Sequence, residues 1–182
     1  MRVTSAEIHE LKIIEPKCYG DDRGFLFESF SAERYAHEAG IGHTFVQDNH
    51  SRSSQTVLRG LHYQLRHPQG KLMRTAFGEV FDVAVDIRRS SITFGQWAGV
   101  ALSAENRRQL WVPPGFAHGF IVLSDFAEVL YKATDYYDPT DEHCLAWDDP
   151  SVAVDWPLRG RTPSLSERDR AGLSLSQIPT YP

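Results

Sequence analysis

Short apolar segments separated by turn-forming residues recur along most of this chain, and their spacing is the strongest constraint on its fold. The segments combine β-branched and aromatic side chains, as strands do, and follow one another at intervals of roughly 8–12 residues. The predicted strands are 25–30, 79–87, 97–102, 109–112, 118–123 and 128–133. Gly, Pro, Asn, Asp and Ser residues lie between them and indicate turns. The pattern predicts an all-β sandwich or barrel.

Helix is predicted at only two places. The segment Ser31–Gly40 begins with a Ser that can cap a helix, has Glu33 in its first turn and ends in Gly. A second helix is predicted to begin at Ser166, because the acidic residues that follow it suit a first turn. A few short peripheral helices around an antiparallel sandwich are typical of a cupin-like jelly roll, whose β-barrel can hold one small ligand in its mouth.

Size and composition limit the classes of protein further. With 182 residues, the chain is expected to form a single domain, 1–182, that buries about 70% of its unfolded surface. A net charge of −5 argues against a nucleic-acid-binding face, and no apolar run is long enough for a transmembrane helix. Two cysteines are too few for a disulfide framework. The first ten residues lack the apolar region of a signal peptide, so a cytoplasmic enzyme or binding protein is expected.

A possible metal site can be judged from two cupin-like motifs. The segment Pro113–His118 reads P-x-G-x-x-H, which resembles the second cupin motif and offers His118 as a ligand. The first cupin motif requires H-x-H, but here His62 is followed two residues later by Gln64. A transition metal commonly takes at least three protein ligands, so we expect a site without metal. The alternative is that both histidines are structural.

Two further polar stretches allow more than one interpretation. The run Gln47–His50 could read the hydrogen-bonding edge of a ligand, or it could form a turn. In the alternating stretch Leu58–Gln64, Arg59 and His62 would face opposite sides of a regular strand. A β-bulge at Gly60 would bring them to the same side.

Seven segments together resemble the dTDP-4-dehydrorhamnose 3,5-epimerase family. They are 45–54, 58–64, 70–72, 78–86, 102–106, 114–120 and 131–137. The likeness runs from about Ile14 to Arg170, which is nearly the whole chain. It implies a cupin-fold isomerase that works without metal or cofactor. It also implies that C3 and C5 of dTDP-4-dehydro-6-deoxy-D-glucose are inverted to give dTDP-4-dehydro-L-rhamnose.

The resemblance also implies catalytic roles. The His of the family's L-R-G-L-H-[YF]-Q stretch is His62, the expected base, and its partner in the motif L-S-E-R-D is Asp169. Tyr131 matches the catalytic acid, and Lys71 matches the Lys that follows the loop after the base. A His with an ordinary pKa near 6.5 suits proton abstraction beside a ketone, because it is largely neutral at pH 7.

Further positions of the family contact the substrate, and the resemblance assigns them here. They are Arg23, Phe25, Glu28, Gln47, Asn49, Arg59, His118 and Tyr137. Tyr137 matches the aromatic side chain that stacks on the thymine. The family also implies a homodimer that shares its N-terminal strands, with Phe25 reaching the site of the other subunit. The loop Arg66–Gln69 could affect the entrance of the site.

Two alternative functions remain open at this point. An epimerase that inverts only C3 or only C5, for an antibiotic sugar, would carry the same His62 and Tyr131. A non-catalytic sugar-nucleotide-binding cupin would be expected to have lost the base or the acid, and both are present here. A metal-dependent cupin oxygenase is disfavoured by Gln64.

Overall fold

The computed structural model describes residues 1–182, which form thirteen strands and two helices. The strands are β1 (Arg2–Ser5), β2 (Lys12–Glu15), β3 (Cys18–Asp21), β4 (Gly24–Phe27), β5 (Gln47–Ser54), β6 (Leu58–Gln64), β7 (Lys71–Phe77), β8 (Glu79–Asp86), β9 (Trp97–Ser103), β10 (Gln109–Val112), β11 (Phe116–Val122), β12 (Phe126–Ala133) and β13 (Glu142–Cys144). The helices are α1 (Ala32–Ala39) and α2 (Glu167–Arg170).

The strands form two main sheets whose pairings are antiparallel. The six-stranded sheet has the order β1-β2-β10-β7-β12-β5, and the five-stranded sheet has the order β13-β6-β11-β8-β9. Strands β3 and β4 form a hairpin that pairs with neither sheet. The predicted all-β jelly roll is confirmed. Neither helix has the length and apolar character needed to cross a membrane.

Three apolar clusters hold these layers together. The inner cluster lies between the sheets and includes Met73 from the six-stranded sheet and Phe120 from the five-stranded sheet. A second cluster packs the C-terminal segment, with Trp156, against the outer face of the five-stranded sheet. A third packs α1, through Tyr35, against the outer face of the six-stranded sheet. Both outer faces are therefore partly covered.

Both predicted helices are present with the expected caps. Ser31 Oγ accepts a hydrogen bond from the N–H of Arg34 at 3.4 Å, and Gly40 ends α1 in the left-handed conformation with φ of 68°. In α2, Ser166 and Asp169 form a capping box, in which each side chain accepts a hydrogen bond from the other residue's backbone N–H. This single turn fixes the position of Asp169.

The structure differs from the sequence prediction in three respects. The polar run at 47–50 is the first part of a strand, β5, because its side chains alternate between the sandwich interior and solvent. The predicted strand 25–30 ends at Phe27, where the chain turns towards α1. Asp82 and Asp86 are fully buried, although water or a site was expected around them. Asp86 is compensated by hydrogen bonds from Arg88, whereas Asp82 pairs with His118 through Oδ1 alone and its Oδ2 has no partner.

Candidate active site

A cavity of about 300 Å³ opens between the two sheets beyond the inner core. It is lined by Ser51, Arg59, His62, Lys71, Met73, His118, Gly119, Phe120, Tyr131, Ser166, Arg168 and Asp169. Six of the predicted site residues are in this set. A second cavity, of about 350 Å³, lies on the outer face of the six-stranded sheet. Its lining includes Asn49 and Tyr131 of the predicted residues but neither His62 nor Asp169.

His62 and Asp169 lie side by side in the cavity. The Nε2 atom of His62 lies 2.8 Å from Oδ1 of Asp169. The backbone N–H of Gly60 donates to Asp169 Oδ1 at 3.1 Å, and the Ser166 hydroxyl donates to Oδ2 at 2.6 Å. Burial opposes ionisation of Asp169, but these contacts outweigh it and lower its pKa to about 2. A carboxylate that is ionised at neutral pH therefore lies within ion-pair distance of the His62 ring.

A bulge in β6 places Arg59 and His62 in the same cavity. His118 is opposite His62 and Phe120 is opposite Arg59, so three steps along β6 match two steps along β11. Gly60 has φ of 122°, and a Cβ atom there would lie 2.5 Å from Cα of Gly119. Only glycine fits this crossing, and the bulge that the sequence left open is present.

Lys71 and Tyr131 come from the opposite sheet. Lys71 Nζ donates to the backbone oxygen of His62 at 3.4 Å, which brings its ammonium next to the base. Burial lowers the pKa of Lys71 to about 8, and the charges of Glu142 and Asp82 limit this fall. Burial raises the pKa of Tyr131, with help from Glu142, so its hydroxyl keeps its proton at neutral pH. Tyr131 and His62 thus face the cavity from different walls.

His118 is buried in the wall beside His62. Its Nε2 lies 2.7 Å from Oδ1 of Asp82, which is itself fully buried. Cys144 lies close to His62 and Asp169, and the three side chains could together bind a metal ion. The sequence analysis did not single out Cys144. His118 is not part of this group.

Two amide side chains of β5 contact the segment after β12, whose Tyr137 bonds to Arg168 of the cavity lining. We call this region the mouth of the cavity. Gln47 Nε2 donates to Asn49 Oδ1 at 3.0 Å, and Gln47 Oε1 accepts the backbone N–H of Tyr137 at 3.0 Å. Asn49 Nδ2 and the neighbouring Ser51 Oγ are buried without a hydrogen-bond partner. Buried polar groups usually have partners, so these two atoms are well placed to contact a bound polar ligand.

A second network at the mouth was not found from the sequence. Tyr137 Oη donates to Glu142 Oε2 at 2.8 Å, and Arg168 Nη1 donates to Tyr137 Oη at 3.1 Å. Arg168 also forms an ion pair with Glu142, whose other oxygen lies 3.8 Å from His62 Nδ1. The only sequence signal for Arg168 was its position next to Asp169. Glu142 had none, because it lies on a strand of three residues.

Three predicted substrate contacts lie outside the cavity of their own chain. The Arg23 side chain is 90% exposed and pairs with Asp21 on the same hairpin. Phe25 is 59% exposed. Glu28 forms an ion pair with Arg34 of α1 at 2.9 Å. The remaining predicted residues come together at the cavity or its mouth.

Comparison with known proteins gives a consistent result over the whole chain. A sequence profile described as dTDP-4-dehydrorhamnose 3,5-epimerase matches residues 5–177. A dTDP-4-dehydrorhamnose 3,5-epimerase from Pseudomonas aeruginosa is 54% identical over 182 residues, covering all of both chains. One from Escherichia coli is 55% identical over 179 residues, or 98% of this chain and 96% of the other.

A solved structure agrees with these relatives. The dTDP-6-deoxy-D-glucose-3,5-epimerase of Legionella pneumophila, in complex with dTDP-4-keto-L-rhamnose, superposes with a TM-score of 0.95. The two sequences are 57% identical, and the match covers 98% of this chain and 94% of that one. The similarity therefore includes the fold as well as the sequence.

Proposed function

The chain belongs to the dTDP-4-dehydrorhamnose 3,5-epimerase family, and we propose that the side chains of the cavity between its sheets carry out the family's reaction. The enzyme is an isomerase that inverts C3 and C5 of dTDP-4-dehydro-6-deoxy-D-glucose to give dTDP-4-dehydro-L-rhamnose. One observation carries the assignment of roles: a candidate base and a candidate acid face one cavity from opposite walls.

His62 is the base in this proposal. The C4 ketone makes the hydrogens on C3 and C5 acidic, because loss of either gives an enolate. In the gluco chair both hydrogens are axial on one face of the ring, so one base can reach them in turn. Asp169, 2.8 Å from the imidazole, orients the ring and stabilises the imidazolium that forms.

Tyr131 is the acid that completes inversion. It stands on the wall opposite His62 and can return a proton to the other face of the enolate. The raised pKa of Tyr131 keeps the hydroxyl protonated until the enolate forms. The Lys71 ammonium supplies positive charge for the enolate oxygen at O4. Its pKa of about 8 leaves most of this charge in place at pH 7.

The nucleotide would be held at the mouth. Arg59 faces the cavity and suits the diphosphate, while Gln47 and Asn49 offer amide groups to the thymine. Tyr137 is 47% exposed beside them, and its ring can stack on thymine. Binding energy from these remote contacts would orient the small sugar ring between His62 and Tyr131.

Removing the aromatic ring of Tyr137 is expected to weaken dTDP binding by about 1–3 kcal/mol, as for base–aromatic stacking in general. Titration calorimetry with dTDP would measure the change in Tyr137→Ala. The variant Tyr137→Phe keeps the ring and loses only the contacts to Glu142 and Arg168, so it should keep most of the affinity. The exposed neighbour Tyr136 provides a control, Tyr136→Ala. Unchanged affinity in Tyr137→Ala would contradict stacking.

A homodimer completes the proposed site. The β3–β4 hairpin pairs with neither sheet of its own chain, and its Phe25 and Leu26 are 59% and 73% exposed. An exposed apolar hairpin of this kind favours burial against another surface. In the proposed dimer, the hairpin brings Arg23 and Phe25 to the cavity of the partner subunit, where they contact the nucleotide.

Mixed dimers test this shared site directly. His62→Asn lacks the base, and the double variant Arg23→Ala/Phe25→Ala lacks the hairpin contacts. If each hairpin serves the partner's cavity, co-expression creates one intact site in each mixed dimer and restores about a quarter of wild-type activity. If the hairpin serves its own chain, every site keeps a defect and no activity returns. Light scattering should give about twice 20.6 kDa.

Catalysis without metal is a further part of the proposal. The proposed steps use only His62, Asp169, Tyr131 and Lys71, so prolonged treatment with EDTA is expected to leave activity unchanged. The assay follows product formation before and after chelation. Activity that disappears with EDTA and returns with one particular divalent ion would contradict this.

We also propose a cytoplasmic location, which suits the two unpaired thiols of Cys18 and Cys144.

A further inference from the structure

Three potential metal ligands of different chemistry meet beside the proposed base. One ring nitrogen of His62, a carboxylate oxygen of Asp169 and the sulfur of Cys144 all lie within 4.8 Å of one another. Asp169 is buried, and the other two side chains are partly buried. The catalytic proposal uses the first two residues and gives the thiol no role.

The pairing of β13 with β6 explains why Cys144 reaches this position. Leu61 and Leu145 exchange both backbone hydrogen bonds, at 3.2 and 2.9 Å, so the next pair, His62 and Cys144, is a non-hydrogen-bonded pair. Side chains in such a pair lie close together on one face of the sheet. Asp169 enters from α2, where the capping box with Ser166 fixes it. All three ligands are therefore held by regular structure before any ion binds.

We propose that His62, Cys144 and Asp169 form an inhibitory binding site for a thiol-binding divalent cation such as Zn²⁺. One nitrogen, one sulfur and one oxygen ligand are a common zinc set, and water can supply the fourth position of a tetrahedron. A thiolate ligand selects against Mg²⁺ and Ca²⁺, which prefer oxygen ligands alone. On binding, the Cys144 thiol loses one proton to solvent, while His62 binds as neutral imidazole and Asp169 as carboxylate.

Binding of the cation and catalysis exclude each other, and this part of the inference rests on the proposed function. A neutral imidazole has one lone pair on a ring nitrogen, and its other nitrogen carries a proton. When the cation takes that lone pair, His62 has none left to remove a proton from C3 or C5. The cation also neutralises Asp169, which would otherwise stabilise the imidazolium. Metal-free activity and inhibition by Zn²⁺ are therefore expected of the same site.

Cobalt(II) is a suitable probe, because it takes tetrahedral zinc sites and gives a sulfur-to-metal charge-transfer band in the near ultraviolet when a thiolate binds. We expect this band in the purified full-length protein, saturating at one ion per chain. Cys18→Ser is the matched control, because the other thiol lies on the β3–β4 hairpin and should leave the band unchanged. Cys144→Ser should lose the band.

Inhibition provides the second measurement. Each protein is titrated with Zn²⁺ and compared with its own metal-free activity, and Cys144→Ser should need roughly tenfold or more Zn²⁺ for half inhibition. Absence of the band in the wild-type protein would overturn the inference. Equal Zn²⁺ sensitivity in wild type, Cys18→Ser and Cys144→Ser would also overturn it. The cobalt band does not depend on turnover, so a protein with the band but without epimerase activity would contradict the proposed function and leave the metal site standing.

Discussion

Replacing His62 with Asn is expected to abolish deuterium exchange at both C3 and C5 of the substrate in heavy water. Both hydrogens lie on one face of the sugar ring, so a single base accounts for both exchanges. Loss of a positioned base typically lowers a rate by about 10²–10⁴-fold. Proton NMR of dTDP-4-dehydro-6-deoxy-D-glucose incubated with the variant would measure each position separately.

Asp169→Asn is the matched variant for this test. The amide keeps the shape of the side chain but removes the negative charge 2.8 Å from His62, so exchange at both carbons should slow together. Circular dichroism would check that α2 and the fold are retained. Exchange that persists at one carbon in His62→Asn would require a second base, and the one-base mechanism would then be wrong.

Tyr131→Phe is expected to separate proton removal from inversion. The variant loses one oxygen from the cavity, while His62 can still remove the proton and Lys71 can still stabilise the enolate. Without a donor on the opposite wall, the enolate should take its proton back from the His62 side. In heavy water, deuterium should enter the unchanged substrate, while inverted product forms about 10²–10⁴-fold more slowly.

The same experiment tests the structural interpretation of Tyr131. If the residue only lined the cavity, Tyr131→Phe would give a mild change in rate and the normal ratio of products. Near-native inversion at C3 and C5 would therefore contradict its role as the acid. Tyr137→Phe removes the hydroxyl that contacts Glu142 and Arg168 at the mouth. Comparison with this variant shows whether another phenol supplies the proton.

The alternative of a single-site epimerase is decided by the number of carbons that exchange and invert. The relatives from Pseudomonas aeruginosa and Escherichia coli are named for both positions, which agrees with the double inversion stated above. His62 and Tyr131 alone could not have decided this, because one base and one acid are needed for either reaction.

The sequence by itself determined the elements whose signals are local. Short apolar segments predicted β8 to β12, five of the eleven strands of the two sheets, and the caps at Ser31 and Ser166 predicted both helices. Each of these signals lies within a few consecutive residues, so it can be recognised without knowing the fold. Gly60 between Arg59 and His62 left a bulge open as one possibility, and the pairing with β11 shows that it is present.

Only the tertiary structure decided which distant residues meet. Cys144 and Glu142 reach His62 because a three-residue edge strand takes a particular register on β6. Such a strand has too few residues for a recognisable pattern, and its stability comes from pairing with its neighbour. Likewise, Asp82 can be buried because His118 lies beside it on the adjacent strand. These contacts depend on the packing and register of the sheets, which no local run of sequence specifies.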